Sequence, residues 1–269
     1  MLRMQKRSVL SIILFLLFTS LLFAGNFQRA VIISDSQNNG VYERVSEKVV
    51  AQHPQVVFHC GDCVNNGNNE DLWRQFFTIT KKITDVAPFY PACGNHEKGA
   101  ANLLKHFPYL GKTSWYSTNQ VGLHWIVLNT MQSMETDSKQ YKWLVKDLKH
   151  NRSMFSIIVM HYPVYSSSLH AFDLNSYTLK QLIEKYNIKL VFSGHDHVYE
   201  RSFDKGTDYI VCGGAGGGLR EKMHKNPYSQ IFNSTHHYCV LDNYSDSLQV
   251  NVYDLQDVKI DTFSILKKE

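Results

Sequence analysis

Eight polar side chains that could bind a metal ion or transfer a proton stand beside short apolar runs of this sequence. They are two carboxylates, two amides and four imidazoles, namely Asp35, Gln37, Asp62, Asn95, His96, His161, His195 and His197. Each has a simpler explanation alone, because an Asp after a strand is commonly a turn or helix-capping residue. Together, oxygen and imidazole donors without thiolates favour borderline ions such as Zn, Mn, Fe or Co over Ca or Mg alone.

The elements that must position these side chains are short β-like runs, each followed by a polar or glycine-containing segment. Strands are predicted over 31–34, 56–59 and 89–92, with helices over 42–50 and 71–83 between them. Further strands are predicted over 115–117, 124–128, 156–160, 189–192, 209–212, 237–241, 248–253 and 259–263, and further helices over 139–149 and 174–186. This alternation predicts an α/β fold whose strand ends gather the polar residues at one edge. Residues 213–230, glycine-rich and then basic, are predicted to form a long loop.

Length and composition set the broad class. The 269 residues are 43% hydrophobic, 13% aromatic and 19% charged, which excludes disordered and collagen-like chains. A formal net charge of +4 is too weak to favour nucleic acid or an anionic membrane surface as a partner. With no internal repeat and no Pro/Ser-rich linker, residues 25–269 are predicted to form one domain.

The N-terminus has the pattern of a targeting segment. Arg3, Lys6 and Arg7 precede an apolar run over 9–24, which is typical of a secretory signal peptide over residues 1–24. An uncleaved membrane anchor is the alternative, although the run is short for a membrane span. The mature protein is therefore predicted to be secreted or periplasmic, a compartment in which some of its five cysteines could form disulfides.

The blocks that contain the eight polar residues follow one another in a particular order. The sequence reads D-S-Q at 35–37, G-D at 61–62, G-N-H-E at 94–97, a lone His161 and G-H-D-H at 194–197. This series resembles the calcineurin-like metallophosphoesterases, which carry D-x-H or D-x-G, G-D, G-N-H-[DE], a lone His and G-H-x-H. The resemblance implies a four-layer αββα sandwich, in which two mixed β-sheets are flanked by helices. It also implies a metal site at the C-terminal ends of the strands.

Two longer stretches are similar to the purple acid phosphatases. Residues 194–201, GHDHVYER, resemble the plant-type pattern, and residues 161–166, HYPVYS, resemble a mammalian-type segment in which a downstream His lies by the substrate phosphate. In this sequence that position is matched by His170. The likeness implies an exported, acid-phosphatase-like phosphomonoesterase whose partner is a small phosphate ester.

The resemblance also implies a role for each matched residue. Asp62 would bridge two transition metal ions, Fe, Zn or Mn, and a metal-bound hydroxide would attack phosphorus in line. The first ion would be bound by Asp35 and His197, and the second by Asn95, His161 and His195. His96 would lie outside the ligand set, where it could bind the phosphoryl group or protonate the leaving oxygen. His170 is the further candidate catalytic and substrate-binding residue.

The sequence departs from the family pattern at two positions. Gln37 stands where many members have a metal-binding His, so its ligation of the first ion and a plain turn role are both open. Asn65 stands where the purple enzymes have a metal-binding Tyr. Without that tyrosinate, we expect a relative that is not purple.

The substrate side is predicted more loosely. Asn65 and Tyr165 are candidate substrate-binding residues besides His96 and His170, although Tyr165 could equally be a packing residue. The run GGAGGG at 213–218 lacks the Gly-Lys-Ser/Thr of a phosphate-binding Walker loop, so a close-packed turn near the site is predicted.

Three alternative functions are compatible with parts of the sequence. The same site could hydrolyse phosphodiesters, including cyclic nucleotides. The substitutions at Gln37 and Asn65 would also suit a metal-binding module whose catalytic site has decayed. A thiol–disulfide oxidoreductase using Cys60 and Cys63 is disfavoured, because the motif is followed by loop-like VNNGNN instead of a helix.

Overall fold

The computed structural model describes residues 27–37, 40–151, 154–169 and 175–267. The α-helices in these residues are α1 Gly40–Ala51, α2 Glu70–Thr84, α3 Ala100–His106, α4 Lys139–His150 and α5 Asn175–Lys185, with a short 3-10 helix over Pro108–Leu110. The strands are β1 Gln28–Ile33, β2 Val56–His59, β3 Phe89–Pro91, β4 Tyr116–Gln120, β5 Leu123–Val127, β6 Ser156–Val159, β7 Leu190–Ser193, β8 Tyr199–Asp204, β9 Thr207–Cys212, β10 Ser229–Asn233, β11 His237–Asn243, β12 Ser247–Asp254 and β13 Lys259–Leu266.

Two mixed β-sheets form the centre of the molecule. The described strands of the first sheet lie in the order β13-β12-β11-β1-β2-β3, and those of the second in the order β10-β8-β9-β7-β6-β5-β4. Strands β1, β2 and β3 are parallel, as are β5, β6, β7 and β9. The remaining pairs are antiparallel.

Helices cover the outer face of each sheet and complete four layers. In β1, Ala30 and Ile32 point into the core between the sheets, while Val31 and Ile33 face α1 and α2. The second sheet packs in the same way against α4 and α5, for example through Leu144. Both faces of these strands are buried, which explains their continuous apolar runs. The predicted αββα sandwich is confirmed.

Some predicted boundaries shift, and one α-helix, two strands and the short 3-10 helix were not predicted. The helices expected over 42–50, 71–83, 139–149 and 174–186 are present and differ by one or two residues at their ends. Helix α3 and strand β8 were missed, and β10 begins at the end of the loop predicted over 213–230. The targeting segment over 1–24 lies outside the described residues, and the single domain over 25–269 stays a prediction. Among the described residues, no helix is both long and apolar enough to cross a membrane.

Candidate metal centre

The eight polar residues lie where five parallel strands end. Asp35 and Gln37 follow β1, Asp62 follows β2, Asn95 and His96 follow β3, His161 follows β6, and His195 and His197 follow β7. Strands β1, β2 and β3 belong to the first sheet, and β6 and β7 to the second. The site is therefore assembled at the C-terminal edge of both sheets, as expected for an α/β fold.

The backbone bends sharply to turn these side chains toward one another. Four of the residues have positive φ although none is glycine: Asp35 at 60°, Gln37 at 45°, Asp62 at 57° and His195 at 69°. Each such conformation costs about 1–3 kcal/mol and persists only where the surrounding structure fixes it. Four of the ten non-glycine residues with positive φ in the described chain are thus predicted ligands.

His161 is oriented as a ligand by the strand end beside it. Its Nδ1 lies 2.9 Å from the Cys60 carbonyl oxygen, which can only accept, so Nδ1 carries the proton. Its Nε2, whose lone pair is available for a metal when the ring is neutral, lies 3.0 Å from Asn95 Oδ1, 3.4 Å from an Asp62 oxygen and 3.2 Å from His195 Nδ1. One ligand atom from each of Asp62, His161 and His195 lies within 4.8 Å of the others. The group of residues predicted for the second ion is therefore brought together.

The residues predicted for the first ion also converge. Asp35 accepts a hydrogen bond from the His195 backbone N–H through Oδ2 at 2.9 Å, while its buried Oδ1 has no hydrogen-bond partner among the described residues. That Oδ1 lies 3.5 Å from His197 Nε2, and His197 Nδ1 donates to the Gly218 carbonyl at 2.8 Å. The Gln37 amide lies 3.4 Å from the same His197 nitrogen. A buried carboxylate oxygen without a partner is costly, and a cation at this position would satisfy it.

The electrostatics of the cluster also favour a cation. Burial would raise the pKa of the Asp62 carboxyl, but His161 and the His96 backbone N–H outweigh it and hold that pKa well below its usual range. Burial would lower the pKa of His161, yet Asp62, with Asp35 and Glu97, raises it to about 9. The carboxylates thus stabilise positive charge on an imidazole, and a metal ion can supply that charge in place of the proton. The residues present fit borderline transition metals.

A buried glutamate holds two of the loops together. The Glu97 carboxylate accepts hydrogen bonds from the backbone N–H groups of Asp62 at 3.0 Å, Cys63 at 2.7 Å and Gly94 at 2.6 Å. It thereby joins the loop after β2 to the loop after β3. This role was not predicted, although the last position of the G-N-H-E block was its signal.

His96 lies at the open side of the cluster. Its Nδ1 is 2.6 Å from the Asn65 carbonyl oxygen, and its Nε2 is 3.8 Å from an Asp62 oxygen. About a third of its side chain, 35%, is exposed, whereas Asp62 is buried. The Asn65 side-chain amide donates to the Gln37 carbonyl at 3.0 Å, so Asn65 links the first-ion loop to His96.

Tyr165, a further predicted substrate contact, makes its contacts with residues outside the cluster. The Tyr165 hydroxyl donates to Asp204 at 2.7 Å, and its ring packs against Tyr209 and Tyr228. These contacts are those of a packing residue, and its substrate-binding role stays a prediction. His170 lies outside the described residues.

The glycine-rich run packs directly on the predicted ligands. Ala215 N–H donates to the Ser34 carbonyl at 3.0 Å and Gly217 N–H to the Asp35 carbonyl at 2.8 Å. A Cβ on Gly217 would lie 2.4 Å from the His197 ring. The segment is therefore a close-packed turn beside the site, as the sequence predicts.

Gly194 is a second position where a side chain does not fit. A Cβ there would lie 2.0 Å from Ser34 Oγ and 2.5 Å from Asp35 Oδ2. We expect Gly194→Ala to lower the free energy of unfolding by about 1–3 kcal/mol and to weaken metal binding, because Asp35 must move. Thermal melting with and without Mn²⁺ measures both effects. Gly218→Ala is the control, since nothing lies within 4 Å of a Cβ there; two variants that behave alike would contradict the expectation.

Two further buried carboxylates, also missed in the sequence, hold the loop after β6. Asp196 accepts a hydrogen bond from Ser166 Oγ at 2.5 Å. Glu200 accepts from the backbone N–H of Ser167 at 2.6 Å and from its hydroxyl at 2.5 Å. Their signal was the GHDHVYER stretch, whose acids support the histidines by fixing the neighbouring loop.

Cys60 and Cys63 do not form a reactive thiol pair. All five are buried and free, and Cys60 Sγ lies 3.7 Å from Cys212 Sγ without a bond. Burial raises the pKa of the Cys60 and Cys63 thiols well above the usual value. Thiols of this kind are inert packing groups, which agrees with the low weight given to an oxidoreductase.

His237 makes the fold sensitive to acid. The ring is fully buried, and burial lowers its pKa from 6.5 to about 4. The unfolded chain gains a proton on this ring near pH 6.5, whereas the folded chain gains it only near pH 4. The free energy of unfolding therefore decreases as the pH falls from about 6.5 to about 4. Between about pH 7 and about pH 4, we expect the free energy of unfolding of His237→Gln to fall by about 3 kcal/mol less than that of the wild type, as measured by urea unfolding. An unchanged pH dependence would contradict this assignment.

Similarity to known proteins extends over the residues of this site. The family model described as calcineurin-like phosphoesterase matches residues 28–199, which include every predicted ligand. The chain belongs to this family.

Among its relatives, a probable purple acid phosphatase 20 of Arabidopsis thaliana is 30% identical over 206 residues, covering 64% of this chain and 48% of that protein. An Fe(3+)-Zn(2+) purple acid phosphatase 12 of the same plant is 31% identical over 162 residues, covering 51% of this chain and 34% of that protein. The chain thus spans about half or less of the length of these relatives.

Solved structures share the fold. A purple acid phosphatase from yellow lupin superposes with a TM-score of 0.81 at 20% identity, covering 90% of this chain and 54% of that one. GAP50, described as the anchor in the inner membrane complex of Plasmodium, has a TM-score of 0.74 at 18% identity and covers 90% of both chains. At these identities the likeness concerns the architecture alone.

Proposed function

We propose that this protein is a metal-dependent phosphohydrolase that uses two metal ions and acts on phosphomonoesters. The observation that supports it best is the buried Asp35 Oδ1, which has no hydrogen-bond partner among the described residues and lies 3.5 Å from His197 Nε2, set among converging carboxylate, amide and imidazole donors. Burying such a donor set without cations would cost free energy, and two bound cations would offset that cost.

The proposed ligands form two groups, one for each ion. Asp62 would be shared by the two ions. The first group is Asp35 and His197, with Gln37 beside them, and the second is Asn95, His161 and His195. Bound ions of this kind supply a hydroxide near neutral pH and offset the charge that develops on a phosphoryl group. Fe, Zn and Mn all suit the donors. Because residue 65 is Asn instead of a metal-binding Tyr, we expect no purple colour.

His96 is the proposed general acid. Its Nδ1 donates a hydrogen bond to the Asn65 carbonyl, so its Nε2 faces the cluster, and the side chain is partly exposed. That nitrogen can hold a proton and deliver it to the leaving oxygen of an ester bound beside Asp62. Asn65 contributes by orienting the ring.

Substrate preference is tested by comparing two esters of the same phenol. We expect the metal-loaded full chain to hydrolyse para-nitrophenyl phosphate with a kcat/KM at least about tenfold above that for bis(para-nitrophenyl) phosphate. A monoester brings a further negative charge to cations and imidazoles, whereas a diester does not. A preference for the diester would move the proposal to a phosphodiesterase, and turnover of neither to a decayed metal-binding module.

Export of the protein remains part of this proposal. It depends on the basic and apolar pattern of residues 1–24, whose structure is not described. N-terminal sequencing of the protein recovered outside the cytoplasm would separate a cleaved signal peptide from an anchor.

A further inference from the structure

Three buried side chains connect the two loops that carry the carboxylates proposed as metal ligands, although the function proposed above gives them no role. They are Ser36, His59 and Cys63, and all three are inaccessible to solvent. Ser36 directly follows Asp35, Cys63 directly follows Asp62, and His59 is the last residue of β2. The three side chains therefore join the loop after β1 to the loop after β2 without being candidate ligands themselves.

The His59 ring has one defined tautomer. Its Nδ1 accepts a hydrogen bond at 3.2 Å from the backbone N–H of Gly61, which can only donate, so the ring proton is on Nε2. The Cys63 Sγ atom lies 3.6 Å from the same Nδ1. Burial lowers the pKa of His59 to about 3, so the ring is neutral at ordinary pH. The ring therefore offers a single N–H donor, at Nε2.

That donor is used by the Ser36 hydroxyl. His59 Nε2 donates to Ser36 Oγ at 3.1 Å, and Ser36 Oγ donates in turn to the Cys63 carbonyl at 2.9 Å. Every polar atom of the two side chains thus has a partner. Removal of the hydroxyl would leave a buried N–H without its acceptor and would disconnect the ring from the loop after β1.

The segment that contains Ser36 has a strained backbone. Asp35 and Gln37, on either side of it, have positive φ of 60° and 45°. Such conformations persist only where the surrounding structure fixes them. The Asp35 N–H donates to the Gly61 carbonyl at 3.0 Å, but the Gln37 N–H is 3.5 Å from the Asp62 carbonyl, which is long for a hydrogen bond. The Ser36 side chain supplies a further connection in the middle of the segment.

We infer that Ser36 and His59 are positioning residues for the first ion, because the hydrogen bond between them holds Asp35 and Gln37 against the loop of Asp62. This inference rests on the proposed function. Hydrogen-bond partners that orient metal ligands typically change metal affinity by about 10- to 100-fold. The loss should fall on the first ion and spare the second, whose other proposed ligands follow β3, β6 and β7.

The experiment is a Mn²⁺ titration of the chelator-treated full chain by calorimetry. In Ser36→Ala, we expect one ion to bind about 10- to 100-fold more weakly than in the wild type and the other to stay within about twofold. Electron paramagnetic resonance with about two Mn²⁺ ions per chain gives a second readout, because two neighbouring ions are magnetically coupled and a lone ion is not. The variant should show lone Mn²⁺ where the wild type shows a coupled pair.

Two further variants identify the ion and the bond. His197→Ala removes a proposed ligand of the first ion, so its spectrum should match that of Ser36→Ala. His59→Gln keeps a side-chain N–H donor, whereas His59→Leu does not. We therefore expect the first ion to bind more tightly to His59→Gln than to His59→Leu.

Thr80→Val is the matched control for the loss of a buried hydroxyl. Thr80 Oγ1 lies 2.8 Å from the Tyr42 hydroxyl between α2 and α1, and both residues are buried. The variant should lower the free energy of unfolding while the affinity for both ions stays within about twofold. A merely structural role of Ser36 would give the same result as this control.

Metal binding and turnover together separate this inference from the proposed function. A wild type that binds two ions but hydrolyses no phosphate ester would overturn the proposed function, and selective loss of one ion in Ser36→Ala would still support the inference. Unchanged affinity for both ions in Ser36→Ala, or an equal loss of both, would overturn the inference. A wild type that binds a single ion would overturn it as well.

Discussion

Asp62→Asn is expected to abolish phosphate-ester hydrolysis, lowering kcat by at least about 10³-fold, and to reduce the metal content of the protein. Asparagine keeps the shape and tolerates the left-handed backbone at this position, where φ is 57°. Its amide oxygen can still accept the hydrogen bond from the His96 N–H, which is 2.8 Å long in the wild type. What it removes is the negative charge beside His161 and His195.

The measurement is metal analysis by mass spectrometry on the same samples that are assayed for para-nitrophenyl phosphate hydrolysis. Asp85→Asn is a matched control, because that carboxylate is exposed and, among the residues that the structure describes, pairs only with Lys81. Full activity in Asp62→Asn, with the metal content of the wild type, would remove Asp62 from the site.

His96→Ala is expected to lower kcat by about 10²- to 10⁴-fold while the metal content stays unchanged. The imidazole reaches the cluster from its open side and is not among the donors that converge there. The size of the loss should depend on the leaving group. An alkyl alkoxide needs a proton more than para-nitrophenolate does, so the loss should be larger for an alkyl phosphate.

His150→Ala, at the exposed end of α4, is the control for removing a histidine. Equal losses for alkyl and nitrophenyl esters would exclude proton donation to the leaving group. A loss of metal in His96→Ala would instead make His96 a ligand or a support of the ligands.

The predicted ligands were found from the sequence because of where they stand. Asp35, Asp62 and His161 each stand within three residues of the end of a strand, and parallel strands carry such positions to a common edge. The same runs predicted the sheets, since strands buried on both faces are continuously apolar. Both kinds of information are local, so one sequence suffices to read them.

Supporting residues depend on contacts between distant loops. Glu97 acts by accepting N–H groups that come from positions 62, 63 and 94, and no local pattern predicts that convergence. The sequence allowed Tyr165 to lie either near the substrate or in the core. The hydrogen bond from its hydroxyl to Asp204 is seen only in the folded structure. Strand β8 was missed because its YERSFD sequence carries charged side chains, such as Arg201, which pairs with Asp261 of β13.

The most direct test of the account is a metal titration of the full-length protein with hydrolysis as the readout. Chelator-treated protein is reloaded stepwise with Mn²⁺, and para-nitrophenyl phosphate turnover is recorded against bound metal. The account predicts no turnover in the stripped protein and a plateau when about two ions are bound per chain. A fully loaded protein that hydrolyses neither the monoester nor the diester would contradict it.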